Sequence, residues 1–209
     1  TTADSTKLFV INNLFLANTS LQNGGAIAVQ GTAASSGPYV FTQNTFAFNT
    51  APSFDGGAIH FDMPIIAGLA TNNIFWRNSS GNATLARRQV HLVQLNSMIF
   101  NSNIIQDGLP TNHGGGSGNS FSYPLFVDTL GLDATAGTGD ENLELLIGSP
   151  AYNFGGGVFQ DLADIDGDGD TSEPLPIDLN ANSRVQDGTI EIGAYEGVID
   201  PFLVTSLAD

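Results

Sequence analysis

Asn44-Thr45-Phe46-Ala47-Phe48-Asn49 has two counterparts of the same form, Asn-x-Phe-x-x-Asn, at Asn13-Leu14-Phe15-Leu16-Ala17-Asn18 and Asn73-Ile74-Phe75-Trp76-Arg77-Asn78. A weaker fourth begins at Asn103 with Ile104 and Ile105, so successive starts lie 31, 29 and 30 residues apart. A fixed period between about 20 and 50 residues marks a solenoid or a propeller. A second landmark travels with the first: Asn23-Gly24-Gly25-Ala26-Ile27 follows one block and Asp55-Gly56-Gly57-Ala58-Ile59 the next. The repeat unit therefore has internal order.

Within a unit the segments are short, rich in Val, Ile, Phe and Thr, and parted by Gly, Asn and Ser. That is the chemistry of strands and turns. A propeller blade needs about 40–50 residues and hairpin turns, whereas units of this size suit one winding of three short strands. The expected fold is all-β: a right-handed parallel β-helix with coils of about 30 residues and an irregular C-terminal cap. Asn is expected at the corners, where it tolerates left-handed backbone, and equivalent Asn side chains are placed to bond from coil to coil. Strand alternation puts Ile27 and Val29, then Ile59 and Phe61, inside, with Ala28 and His60 outside. The same step sets Val90 and Leu92 inside and His91 beside His60. Residues 1–120 read as coils, 121–197 as the last coils and the cap, and 198–209 as an extension strand or the start of a following unit.

Five Lys and Arg against 21 Asp and Glu give the 209 residues a net charge of −16. Such a field repels polyphosphate, so no nucleic-acid partner is expected. It favours solubility outside cells and supplies hard oxygen ligands of the kind calcium takes. With no Cys, disulfides, thiol nucleophiles and Cys-based zinc sites are excluded. No apolar run reaches the roughly 18 residues of a membrane span. The opening Thr1-Thr2-Ala3-Asp4 carries no signal segment, as expected of an excerpt from a longer product.

The tail carries Tyr123-Pro124-Leu125-Phe126-Val127-Asp128, then Gly148-Ser149-Pro150-Ala151, then Arg184 and Ile192-Gly193-Ala194-Tyr195-Glu196. Taken in this order with the Asn-x-Phe-x-x-Asn coils, it resembles the C-terminal part of bacterial right-handed β-helix proteins of the choice-of-anchor Q type. The resemblance covers most of the chain and implies a β-helix in an exported, often cell-surface, protein, with no particular activity. The ending Val204-Thr205-Ser206-Leu207-Ala208-Asp209 resembles the opening strand of another such unit. The Gly-Thr-Leu-Arg type sequence that usually follows in those proteins is absent. Arg184, set among Asp178, Asp187 and Glu191, reads as a structural ion pair in the cap.

The sharpest chemical motif is Asp164-Ile165-Asp166-Gly167-Asp168-Gly169-Asp170, with Glu173 after it. Oxygens at positions 1, 3 and 5 and Gly at position 6 match the first half of an EF-hand-like loop. Position 12 is Leu175 rather than Glu, so the expected structural calcium ligands are Asp164, Asp166, Asp168, Asp170 and Glu173. A patch of Asp55, His60 and Asp62 facing Arg87, Arg88 and His91 has two readings. It is an ordinary polar ladder, or it faces a glycan, its carboxylates serving as acid and base and an Arg in β-elimination. Trp76 reads as a half-buried rib or a stacking platform for sugars, and His113 as part of a flexible loop. Asn18, Asn78 and Asn82 fit the N-glycosylation pattern.

No nucleophile elbow, phosphate loop or zinc-protease motif is present. The expected protein is a non-catalytic structural or adhesive module, secreted or at the cell surface. A carbohydrate-active enzyme or glycan-binding module is the alternative. Its expected partners are copies of itself, stacked head to tail into filaments through the apolar strand Phe202, Leu203, Val204 and Leu207, and surface polysaccharide.

Overall fold

The protein is described from a computed structural model covering residues 7–31, 35–81, 84–94, 97–156, 164, 168–173, 177–186 and 188–199. The first repeat unit supplies strands β1 (Leu8–Ile11), β2 (Leu14–Leu16) and β3 (Ile27–Val29). The second supplies β4 (Ser35–Thr42), β5 (Thr45–Ala47), β6 (Thr50–Ala51) and β7 (Ile59–Phe61), and the third β8 (Ile65–Thr71), β9 (Ile74–Trp76), β10 (Ser79–Ser80) and β11 (Val90–Leu92). The fourth gives β12 (Met98–Asn101) and β13 (Ile104–Ile105). The C-terminal region adds β14 (Phe126–Asp128), β15 (Asn142–Leu146) and β16 (Val198–Ile199). A 3-10 turn at Leu85–Arg87 is the one helical element among the described residues.

The chain is all-β, and across the four units every strand pairs in parallel with the strand at the same position in the next unit. This gives the sheets β1-β4-β8-β12, β2-β5-β9-β13, β3-β7-β11 and β6-β10. The register is that of the repeat: Ile27 faces Ile59, Ile59 faces Val90, and His91 lies beside His60. Antiparallel hairpin blades are thereby excluded.

Asn13, Asn44, Asn73 and Asn103 form one hydrogen-bonded column. Each side-chain amide donates to the Oδ1 of the next, at 3.2, 2.9 and 3.0 Å, and Asn103 donates to Asn119 at 3.0 Å. Each backbone N–H in the column donates to the same acceptor. A second column runs Asn18, Asn49, Asn78 and ends on Gln89 Oε1. Between them Phe15, Phe46 and Phe75 stack face to face at 4.6 and 4.9 Å.

The left-handed corners expected at these asparagines fall one residue earlier. Asn12, Gln43, Asn72 and Ser102 have φ of 57°, 55°, 54° and 51°, and Ala17, Phe48 and Arg77 repeat the feature before the second column. Each such residue costs on the order of 1–2 kcal/mol, and the hydrogen bonds of the asparagine that follows offset it.

The Gly-Gly pairs divide their work. Gly24 and Gly56 turn at φ of 73° and 71°, while Gly25 and Gly57 admit a neighbouring backbone: a Cβ on Gly25 would lie 2.0 Å from Gly57 O. The segment 114–120, expected as a flexible loop around His113, is instead an edge to the fourth unit. Gly114, Ser117 and Ser120 exchange backbone hydrogen bonds with Met98, Ser102, Asn103 and Ile105, and His113 sits edge-on to Phe100.

The described part of the tail, expected as last coils and cap, packs along the side of the repeat units. It lies along the outer face of β2-β5-β9-β13, where Phe126, Leu143, Leu145, Ala151 and Ile192 bury Ala47, Ile74, Trp76 and Ile104. The inner face of the same strands, with Phe46, Phe75 and Ile105, belongs to the main core. Gly193 N–H donates to Asn72 O at 2.9 Å and Ala194 N–H to Thr45 Oγ1 at 3.0 Å. A Cβ on Gly193 would lie 2.8 Å from Ile74 Cδ1, so the Gly-Ala pair permits close docking. Val198–Ile199 pairs with Leu145–Leu146. Phe202, Leu203, Val204 and Leu207 lie outside the described residues.

Candidate functional site

The one histidine cluster among the described residues is set by register. Because β7 and β11 pair one to one, His60 and His91 project side by side from the face opposite Ile59, Phe61, Val90 and Leu92, which enter the core. Their Nδ1 atoms are 3.2 Å apart, one donating to the other, and the rings are tilted by 55°. Asp55, at the turn before β7, brings Oδ2 to 3.4 Å from His91 Nδ1 and 3.7 Å from Arg87 Nη1.

The histidines point away from the core as alternation requires, yet they are only 3 % and 7 % exposed. Strand parity fixes direction and leaves open what lies across it. Burial pulls both imidazoles below their ordinary range. Asp62 and Asp55 oppose this at His60; Asp55 opposes it at His91, where His60 and Arg87 add to the lowering.

The rest of the expected patch is structural in its contacts. Asp62 Oδ1 accepts from Gly31 N–H at 3.0 Å. Arg88 enters through its carbonyl, which accepts from Gly57 N–H at 2.7 Å. Its side chain forms no ion pair among the described residues.

A pH dependence follows. An unfolded imidazole takes its proton near pH 6.5, and the native pair resists until lower pH. The pair thus costs no stability above that value and destabilises progressively as pH falls below it. The melting temperature is expected to hold between about pH 7 and 8 and to drop between about pH 6.5 and 5. His60→Gln/His91→Gln should flatten that drop, and an unchanged slope in the double variant would refute the assignment.

Of the expected calcium ligands, Asp166 lies outside the described residues. Asp164 Oδ1 accepts from Gly169 N–H at 3.1 Å, drawing the loop back on its first residue. Asp168 and Asp170 accept from the N–H groups of Asp170 and Ser172, and Glu173 lies beyond them. Among the described residues no three metal-ligating side chains close on one point.

Arg184 is 1 % exposed, and its direct partner is Glu196, at 2.9 Å, rather than Asp178 or Glu191. Asp187 lies outside the described residues. Arg184 also donates to the carbonyls of Gly193 and Ala194 and to Asn12 Oδ1 in the first unit. Burial lowers its pKa to about 10 despite the nearby charges of Asp178 and Glu191, and burial raises that of Glu191.

Trp76 is 8 % exposed and packs against Tyr123, so it is no open platform for a sugar. Asn78 is buried within the second asparagine column. Asn18 is exposed at the end of that column, and Asn82 lies outside the described residues. Asn119, which extends the first column, escapes the periodic reading because it follows Asn103 by 16 residues rather than 30.

Among the described residues no helix is long and apolar enough to cross a membrane. Comparison with protein-family models, with curated proteins and with solved structures gives no match to this chain.

Proposed function

We propose that the four units form one continuous right-handed parallel β-helix and that the chain is a rigid, non-catalytic structural or adhesive module of a secreted or cell-surface protein, of the choice-of-anchor Q kind. The carrying observation is the pair of asparagine columns, which commit the repeated polar side chains to bonds between units. Crossovers between parallel strands are right-handed in about 98 % of cases, which supports the handedness. The family assignment rests on the ordered tail motifs, and Gly193-Ala194 has a physical reason to be small.

The acidic loop holds a structural calcium through Asp164, Asp166, Asp168, Asp170 and Glu173, a reading supported by the closure of Gly169 onto Asp164. Units of this kind stack head to tail, since the outer edges of parallel sheets offer unpaired backbone groups to another copy. No observation favours the carbohydrate-active reading over this one, because the imidazoles it needs at the surface are covered.

Electron microscopy of the purified chain in millimolar calcium is expected to show fibres with a repeat about one subunit long, which shorten or disperse on chelation. Short dispersed rods under both conditions would remove the polymer. Compact, non-elongated particles by small-angle scattering would remove the β-helix.

A further inference from the structure

We infer that His60 and His91, with Asp55 beside them, form a binding site for a divalent transition-metal ion of the zinc class, separate from the acidic loop. Two imidazole nitrogens and a carboxylate oxygen suit such an ion, whereas calcium takes oxygen ligands. Tetrahedral zinc with metal–nitrogen bonds of about 2.0–2.1 Å sets neighbouring ligand atoms about 3.3–3.4 Å apart. The two Nδ1 atoms stand at 3.2 Å, and Asp55 Oδ2 stands 3.4 Å from His91 Nδ1.

Both imidazoles are carried on paired strands in one-to-one register, so the spacing is held by backbone hydrogen bonds rather than by side-chain freedom. Asp55 has capacity to spare: its Oδ1 is buried without a hydrogen-bond partner among the described residues. Its contact with Arg87 is a loose 3.7 Å, and the Arg87 side chain is 40 % exposed, free to swing into water. Among the described residues the three side chains do not close on one point, so the proposed site requires the Asp55 side chain to rotate toward both rings. A cavity of about 310 Å³ lined by Asn23, Ser53, Phe54, Asp55 and Gly81 gives entry beside the carboxylate.

Without metal, one Nδ1–H donates to the other ring. On binding, that proton passes to Nε2 of its own ring, both Nδ1 lone pairs face the ion, and each imidazole stays neutral. Asp55 supplies one compensating negative charge.

The test is a zinc chloride titration of the full chain in saturating calcium, followed by calorimetry and by the ring-nitrogen NMR signals of ¹⁵N-labelled histidine. One zinc ion is expected to bind, shifting the Nδ1 signals of two histidines and leaving the third, His113, as an internal control. Loss of a group that only orients a metal ligand costs about 10–100-fold in affinity. His91→Gln and Asp55→Ala, each of which removes a direct ligand, should therefore each cost about 100-fold or more. No zinc uptake, a shift confined to His113, or unchanged affinity in His91→Gln would overturn the site. The NMR result on the unaltered chain decides the matter even if a variant fails to fold.

Discussion

Asn73→Ala is expected to destabilise the protein by about 3–5 kcal/mol, and Asn13→Ala by only about 1 kcal/mol. Both belong to the same column, and the contrast comes from burial and from the number of groups each leaves unpaired. Asn73 is fully buried; its amide serves Phe41 O, Thr71 O and Asn103 Oδ1, and its Oδ1 accepts twice from Asn44. Removing the side chain strands at least two carbonyls and an N–H away from water, each at roughly 1–3 kcal/mol. Asn13 ends the column half-buried, where water can replace it. Urea unfolding of both variants measures the difference. Equal losses would mean that the column is decoration on a fold held by the phenylalanine stack.

Arg184→Ala should cost a comparable 3–5 kcal/mol, roughly the range for breaking a buried ion pair from one side. Glu196 would remain in the interior without its counter-charge, the Gly193 carbonyl would lose its donor, and the Ala194 carbonyl would keep only Leu179 N–H. Arg184→Met/Glu196→Leu should recover most of the loss, because two apolar side chains in a buried site need no partner. Arg184 also ties the tail to Asn12, so its removal loosens the tail before the repeat units unfold. The single tryptophan, Trp76, lies under that tail. Its fluorescence should shift to longer wavelength at a lower denaturant concentration than the loss of β circular dichroism. Coincident transitions would show that tail and units unfold as one.

Legibility in the sequence depends on whether a feature is periodic. The 31-residue step is enough to set His91 beside His60 and Val90 beside Ile59, because a one-residue slip would turn every side chain to the wrong face. The covering of the outer face of β2-β5-β9-β13 is not periodic in the tail that supplies it, although its trace is present in the repeats. Leu14, Phe15 and Leu16, and Ile74, Phe75 and Trp76, are apolar at both parities, the signature of a strand buried on both faces. Read as ribs of a one-sided core, they hide the need for a second layer.

The sequence by itself determined the all-β class, the register of the Gly-Gly-Ala-Ile strands and the bonding of equivalent asparagines from unit to unit. Each is encoded locally and repeated, so every unit restates the pattern. Only the tertiary structure decided that the tail lies along a flank, that Glu196 holds Arg184, and that His60 and His91 are covered. The first rests on contacts such as Arg184 to Asn12, 172 residues apart, and Ala194 to Thr45, 149 apart. Such pairs are made once, carry no period, and exist only when the folded backbone brings two unrelated segments within hydrogen-bond reach.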